Sequence, residues 1–228
     1  MPTQPFIGTL NEGSLHAALK HHYSLPGDRF EVPLGNFVID VVRDFGEPDE
    51  LLLEIQTGSF GAMGNKLDAL LEEHRMLLIH PIAVTSTLER RDTKPRKSPK
   101  KGSIYSLFSE LVSIPTLLDH PNLTLDIVLV DVIKKQEFDP KLRRRRGGYR
   151  TVDRHLQRIV DTYHFEQVDD LLSLLPDALQ ETFTTADIAS NGKISRSDAQ
   201  KLAYCFREAG LIDEIQRTRA GVEYRLHR

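Results

Sequence analysis

The chain has 228 residues, of which 39% are hydrophobic and 28% charged, and its formal net charge is −3. This length is sufficient for one large domain or two small ones with a sizeable core. No apolar run reaches the roughly 18 residues of a transmembrane helix, which excludes that class of protein. The N-terminal residues 1–5 have no basic-then-apolar signal pattern, so we expect a cytoplasmic location. Cys205, the one cysteine, excludes an intramolecular disulfide and fits core packing in a helical pattern.

The first 140 residues predict alternating helices and strands. The order is helix, three strands, helix, strand, helix and strand, over residues 8–22, 30–33, 36–43, 51–57, 61–75, 76–85, 104–118 and 123–137. A strand–helix–strand unit following several strands predicts an α/β fold, in which a mixed central sheet is flanked by helices.

Basic residues are concentrated in two places, in spite of the negative net charge. One is the segment 90–101, and the other is the run Arg143, Arg144, Arg145 and Arg146. Local charge determines the field that a phosphate backbone meets, so both segments are candidates to bind nucleic acid. A solvated loop is an equally good interpretation of either run, and the Pro-rich, basic stretch 92–102 predicts a mobile loop.

Three acidic side chains stand out among the predicted elements. Glu12 lies in the first helix, Asp40 closes the apolar run of the second strand, and Glu54 precedes Gln56 on the third strand. Side chains alternate along a strand, so Glu54 and Gln56 share one face while their apolar neighbours point into the core. If the strands of Asp40 and Glu54 pair, the two carboxylates converge on one hard cation such as Mg²⁺ or Mn²⁺.

Each acid also has a structural interpretation. Glu12 alone would be a solvent-facing helical residue, and Asp40 would cap a turn at a strand end. Glu54 is different, because an unpaired charge within an apolar strand is costly. His16 and Lys20 follow Glu12 on about the same helical face and could contact either phosphate or the residues that surround the metal site. An ordinary exposed polar residue is the more favoured interpretation for each. His80, which precedes Pro81, is interpreted as a structural histidine.

This pattern of a helical Glu, an Asp at a strand end, Glu-x-Gln on the next strand and then a helix resembles the PD-(D/E)XK nuclease superfamily, over roughly residues 8–135. The resemblance implies that Asp40 and Glu54 bind the metal and that Glu12 completes the site. It also implies that the third motif position, usually Lys, handles the attacking water. Here Gln56 stands at that position, and no proline precedes Asp40. Gln56 can hydrogen-bond a water but cannot act as a base, so either Gln56 or Lys66 of the following helix has this role.

A composition break over 141–150 predicts a domain boundary. We predict a nuclease-like domain at 1–140, a basic linker and connecting segment at 141–165, and a C-terminal domain at 166–228. The last region contains a segment with helical character over 168–175 that stops at Pro176. Its other predicted elements are a short helix, a tight turn, a longer helix capped by Ser195 and a basic hairpin, at 185–189, 191–192, 195–209 and 211–226.

This C-terminal arrangement resembles a winged helix-turn-helix domain. The resemblance implies that the helix after the turn enters the major groove, with its first side chains toward base edges, and that the hairpin contacts phosphate. The implied DNA-binding residues are Arg196, Gln200 and Lys201 on the helix and Arg217 and Arg219 in the wing. Winged helices also dock proteins, so that alternative stays open.

The sequence therefore predicts a Mg²⁺- or Mn²⁺-dependent DNA endonuclease that a winged helix targets to DNA. DNA is the expected partner, a membrane is not, and a homodimer is left open. The alternative is a non-catalytic DNA-binding or scaffold protein on a degenerate nuclease fold, with Gln56 as the trace of lost activity. Metal-dependent cleavage separates the two hypotheses.

Overall fold

A computed structural model describes residues 12–91, 93–142, 148–219 and 221–227. Its main feature is a seven-stranded mixed sheet in the order β1-β2-β3-β4-β6-β7, with β5 paired to β4. The strands are β1 (Arg29–Leu34), β2 (Phe37–Arg43), β3 (Leu51–Ile55), β4 (Arg75–Arg90), β5 (Thr93–Lys97), β6 (Leu123–Phe138) and β7 (Tyr149–Phe165). The predicted α/β class with a mixed central sheet flanked by helices is confirmed.

The central strands β3, β4 and β6 run parallel to one another, and the remaining pairs are antiparallel. Parallel strands are covered on both faces, which explains their continuous apolar runs. Helix α1 (Ser14–Tyr23) covers one face through Leu15 and Leu19. Helices α2 (Gly64–Leu70) and α3 (Leu107–Leu111) cover the other face, together with the C-terminal region.

The first helix begins later than predicted. It starts at Ser14, whose backbone N–H and Oγ both donate to the carboxylate of Asp153 on β7, at 3.1 and 2.5 Å. The predicted helical position of Glu12 is therefore wrong, because Glu12 precedes the first residue of the helix. Residues 8–11 lie outside the described part of the chain.

Two long predicted helices are broken into short pieces. The segment 61–75 contains a 3₁₀ turn (Phe60–Ala62) followed by α2, and 104–118 contains a 3₁₀ turn (Ile104–Ser106) followed by α3. Gly61 and Gly64 lower the helix propensity of the first segment, and Pro115 prevents continuation of the second. The consequence for the site is that α2 is short and carries Lys66 close to the sheet.

Two segments predicted to be irregular are strands. The stretch expected to be a mobile loop contains β5, which pairs with β4. The segment 141–165, expected to be a linker, contains β7, which pairs with β6 along almost its whole length. Both lie at the margin of the sheet, where polar side chains face solvent, so the apolar signal of a strand is weak. The run Arg143–Arg146 lies outside the described residues.

The C-terminal region begins with a 3₁₀ helix (Val168–Leu174), where we expected a helical segment. It continues with β8 (Phe183–Thr184), α4 (Thr185–Gly192), α5 (Arg196–Glu208), β9 (Ile212–Thr218) and β10 (Gly221–Leu226). Ser195 caps α5 as predicted, since its Oγ accepts from the N–H of Asp198 at 3.0 Å. The three strands form a small sheet in the order β8-β10-β9.

Helix α5 packs against α3, where the rings of Phe108 and Phe206 are 5.6 Å apart. This contact joins the C-terminal region to the core beneath the large sheet. Cys205 is buried in the same contact, as its helical pattern predicted. Within the described ranges, none of the helices has the length and apolar character needed to cross a membrane.

Candidate functional site

Asp40 and Glu54 meet where β2 and β3 separate. Val41 pairs with Leu53, which places Asp40 and Glu54 one step further along the two strands. Oδ2 of Asp40 accepts from the backbone N–H of Ile55 at 2.8 Å, so a side chain replaces the backbone bond of the ladder. The structure thus brings together the two carboxylates that the sequence singled out.

His16 links Glu12 to Asp40 from the side of α1. Its Nδ1 lies 2.5 Å from Oε1 of Glu12, and its Nε2 lies 3.1 Å from Oδ2 of Asp40. Burial lowers the pKa of His16, but the two carboxylates outweigh burial and raise it above its ordinary value. The protonated imidazolium is therefore favoured between two acids.

Lys20 is the main counter-charge of the site and is only 2% exposed. Its Nζ lies 2.7 Å from Oε1 of Glu12, contacts Glu31, and lies 3.9 Å from Oδ1 of Asp40. The interpretation of Lys20 as an ordinary surface residue is therefore wrong. Burial opposes ionisation of Glu12 and Asp40, yet the contacts with Lys20 and His16 hold the pKa of both carboxyls below the ordinary range.

Glu31 belongs to the site but was not predicted from the sequence. Phe30 pairs with Val41 and Val32 with Ile39, so Glu31 faces Asp40 across the β1–β2 ladder. Its φ of 50° lies in the left-handed region, which is strained for a non-glycine residue. Nothing in the local sequence indicates this conformation, which leaves Glu31 in contact with Lys20.

Glu54 has one satisfied and one unsatisfied carboxylate oxygen. Oε1 lies 2.6 Å from Nζ of Lys66, which also donates to the carbonyl of Val38 at 2.8 Å. Glu54 is only 9% exposed, and its Oε2 is buried without a hydrogen-bond partner among the described residues. Burial and then the nearby charge of Asp40 raise the pKa of Glu54, against the opposing effects of Lys66 and of the backbone N–H of Asp40.

Gln56 follows the end of β3, and its side chain is turned into the next loop. Its side-chain Nε2 donates to the backbone carbonyl of Ser59 at 2.7 Å. The backbone carbonyl oxygen of Gln56 lies 2.7 Å from Nδ1 of His80. His80 is buried against the ring of Phe60, and burial lowers its pKa. His80 therefore has the structural environment that we expected.

The predicted DNA-binding residues occupy different environments. Arg196 and Gln200 are exposed on α5, and Arg219 is exposed in the turn after β9. Lys201 instead faces the first part of the chain, where its Nζ donates to Oγ of Ser109 at 2.9 Å. Arg217 is paired with Glu214 at 2.8 Å.

The site residues fit a divalent cation in one respect and are already balanced in another. Glu54 Oε2 is a buried carboxylate oxygen that has no hydrogen-bond partner in the described part of the chain, and it lies beside a second carboxylate. Lys20, His16 and Lys66, however, neutralise the surrounding acids. Within the described ranges, no three Asp, Glu, His or Cys side chains are arranged as a metal-binding group.

A family model described as "Domain of unknown function (DUF8091)" matches residues 13–166. The chain belongs to this family. The matched span includes Asp40, Glu54 and Lys66 and all strands of the large sheet, whereas Glu12 lies just before it and α5 beyond it. The match to the family therefore covers the large sheet and both convergent carboxylates of this chain.

A curated relative from Treponema pallidum (strain Nichols), named "Uncharacterized protein", is 34% identical over 193 residues. The similarity covers 82% of this chain and 74% of the relative. It therefore extends over most of both proteins. No solved structure matches the chain.

Proposed function

We propose that the protein is a metal-dependent DNA endonuclease of the PD-(D/E)XK type, with Asp40 and Glu54 as ligands of Mg²⁺ or Mn²⁺. The observation that carries this proposal is the buried Oε2 of Glu54 next to Asp40, an oxygen with no hydrogen-bond partner among the described residues. Leaving a buried carboxylate oxygen unsatisfied is costly, and a hard divalent cation is the partner that removes this cost. On this proposal, the mixed sheet is a restriction-endonuclease-like sheet.

When bound, the metal would stabilise negative charge developing on the phosphate and lower the pKa of a bound water. Asp40 and Glu54 would hold it, and Glu12 would complete the site directly or through water. The lowered pKa of Asp40 keeps this ligand ionised at neutral pH. His16 and Lys20 would fix the positions of Glu12 and Asp40 through the contacts they already make.

Lys66 is better placed than Gln56 to orient the attacking water. Its Nζ already lies 2.6 Å from Glu54, whereas the amide nitrogen of Gln56 is engaged by Ser59. A charge supplied from the following helix would compensate for the missing Lys of the motif.

We expect Lys66→Ala to lower the cleavage rate by about 100-fold, the lower end of what a positioned proton-handling group contributes. Gln56→Ala should lower the rate much less, because its side chain mainly holds the loop at Ser59. Plasmid-nicking rates at saturating Mg²⁺ measure both effects, and circular dichroism checks that both variants fold. Full activity in both variants would show that neither residue handles the water.

The C-terminal region would target the nuclease to DNA as a winged helix-turn-helix. Support comes from α4 and α5, joined by a short turn, and from the hairpin β9–β10. Arg196 and Gln200 are exposed on α5 and free to approach base edges. Lys201, being bound to Ser109, would rather fix the helix to the first part of the chain.

A second candidate function is a non-catalytic DNA-binding or scaffold protein on a degenerate nuclease fold. The observation that favours it is the charge balance of the site, because Lys20, His16 and Lys66 satisfy most of the carboxylate oxygens without any metal. Loss of the motif lysine at Gln56 points the same way.

One assay separates the two functions. Purified protein is incubated with plasmid, single-stranded DNA and RNA in EDTA, Mg²⁺ or Mn²⁺. The endonuclease proposal expects DNA cleavage in Mg²⁺ or Mn²⁺ and none in EDTA. DNA binding without cleavage in any metal would favour the scaffold, and cleavage of RNA alone would correct the substrate.

A further inference from the structure

A basic groove of about 650 Å³ runs from the loop after β3 to helix α5. Its basic lining residues are Lys100, Lys101, Lys134, Arg154 and Lys201. A smaller cavity of about 250 Å³ adjoins it and reaches His16 of the candidate site. The two share Leu15, Thr57 and Arg154 as walls, so the groove adjoins the cavity that reaches His16, the residue that contacts Glu12 and Asp40.

Lys134 and Arg154 are directly opposite each other on the paired strands β6 and β7. Like charges in this position repel and destabilise a sheet. Neither residue makes an ion pair with any residue that the structure describes, and Lys134 is half-buried. Burial, followed by the charges of Arg154 and Lys100, lowers the pKa of Lys134.

The acidic residues of the groove do not relieve this repulsion. They are Glu110 and Asp198, against five basic side chains. Asp198 is engaged by the hydroxyl of Ser195 at 2.7 Å. Glu110 is negatively charged, but it forms no ion pair with Lys134 or Arg154. Among the described residues, the two facing cations thus have no compensating carboxylate, and an anionic ligand would supply the missing charge.

We propose that Lys134, Arg154 and Lys100 bind the phosphodiester backbone of DNA alongside the candidate site. This inference rests on the proposed function for the identity of the ligand. A guanidinium can bind phosphate with two parallel hydrogen bonds, and an ammonium adds a compact point charge. A strand in the groove would extend from the side of His16 toward Asp198 and Lys201 on α5, the helix expected to bind DNA.

The test measures binding of a fluorescein-labelled DNA duplex to the full chain by anisotropy, over a NaCl series in EDTA. Each phosphate neutralised on duplex DNA contributes about −0.9 to the slope of log K against log salt. The double variant Lys134→Gln, Arg154→Gln should therefore have a slope shallower by about 2 units. An unchanged slope and affinity would overturn the inference.

Lys135→Gln is the matched control. Lys135 is the next residue of β6, is exposed, and by strand alternation lies on the face opposite Lys134. It should keep the wild-type slope, whereas loss of one phosphate contact would make the slope shallower by about 0.9. If Lys135→Gln makes the slope shallower by about 0.9, half the change expected of the double variant, binding is general surface attraction and the groove site is wrong.

Folding of the double variant is checked by its melting temperature in EDTA. Removing two facing cations should leave this temperature equal to or above that of wild type. A large decrease would show that the pair stabilises the fold, which contradicts the argument from repulsion.

Binding in EDTA also separates this inference from the proposed function. One outcome is that the wild type fails to cleave DNA while the double variant still has a shallower slope of log K against log salt. In that case the groove site stands and the nuclease proposal fails. If wild type cleaves and the double variant binds as wild type does, the groove site alone fails.

Discussion

Replacing Asp40 by Asn, or Glu54 by Gln, should abolish metal-dependent cleavage while the protein stays folded. Both carboxylates converge where β2 and β3 separate, and each would be a direct ligand of the cation. Loss of a residue that only orients a ligand typically costs about 10–100-fold. Loss of a direct ligand should exceed this range, so we expect more than about 100-fold lower rates from each substitution.

Plasmid nicking in Mg²⁺ measures the rate, and calorimetric titration with Mn²⁺ measures metal binding independently of activity. Both readouts should be lost together in the two variants. Glu47→Gln is a matched control, because Glu47 is exposed in the turn between the same two strands. Wild-type cleavage by either Asp40→Asn or Glu54→Gln would contradict the site.

The melting temperature in EDTA distinguishes a lost ligand from a lost fold. The pKa of Glu54 is raised in the folded protein, so the folded state disfavours the ionised carboxylate. Ionisation of Glu54 therefore lowers the stability of the protein once the pH exceeds the ordinary pKa of a glutamate. Glu54→Gln should therefore melt at or above the wild-type temperature at neutral pH. The difference should disappear as the pH falls below the ordinary glutamate pKa, where both proteins are neutral at this position.

Sequence patterns predicted the inner part of the sheet better than its margins. The strands β3, β4 and β6 are apolar along continuous runs because they are buried on both faces. The edge strands β5 and β7 are largely exposed and polar, and they adopt strand structure because they pair with β4 and β6. Such pairing joins residues far apart in sequence, so a local pattern does not reveal it.

The same contrast holds for the candidate site. Glu54 was predictable, because an acid within an apolar strand needs a partner. Lys20 was misjudged, since its helix spacing resembles that of a surface residue and its burial depends on β1 and β2. The start of α1 depends on Asp153, a residue of the unpredicted β7. Long-range pairing therefore set the details that the sequence did not predict.

Lys20→Met should destabilise the protein by about 3–5 kcal/mol, the usual cost of removing one partner from a buried charge pair. Lys20 is buried and contacts Glu12, Glu31 and Asp40. Methionine fills a similar volume but leaves these carboxylates without their main counter-charge. Urea unfolding in EDTA at neutral pH measures the change, and Lys135→Met is the control for the same substitution at an exposed lysine.

The pH dependence of this loss tests its electrostatic origin. The pKa values of Glu12 and Asp40 are lowered in the folded protein, so both carboxylates contribute stability above their ordinary pKa values. That contribution is lost as the pH falls through the folded values. The gap in unfolding free energy between wild type and Lys20→Met should therefore be greatest at neutral pH and shrink in acid.

Adding Glu12→Gln to Lys20→Met should recover part of the stability, because one uncompensated charge is removed. A urea midpoint of Lys20→Met equal to that of wild type at neutral pH would mean that the carboxylates do not need Lys20, and a gap independent of pH would assign the loss to packing.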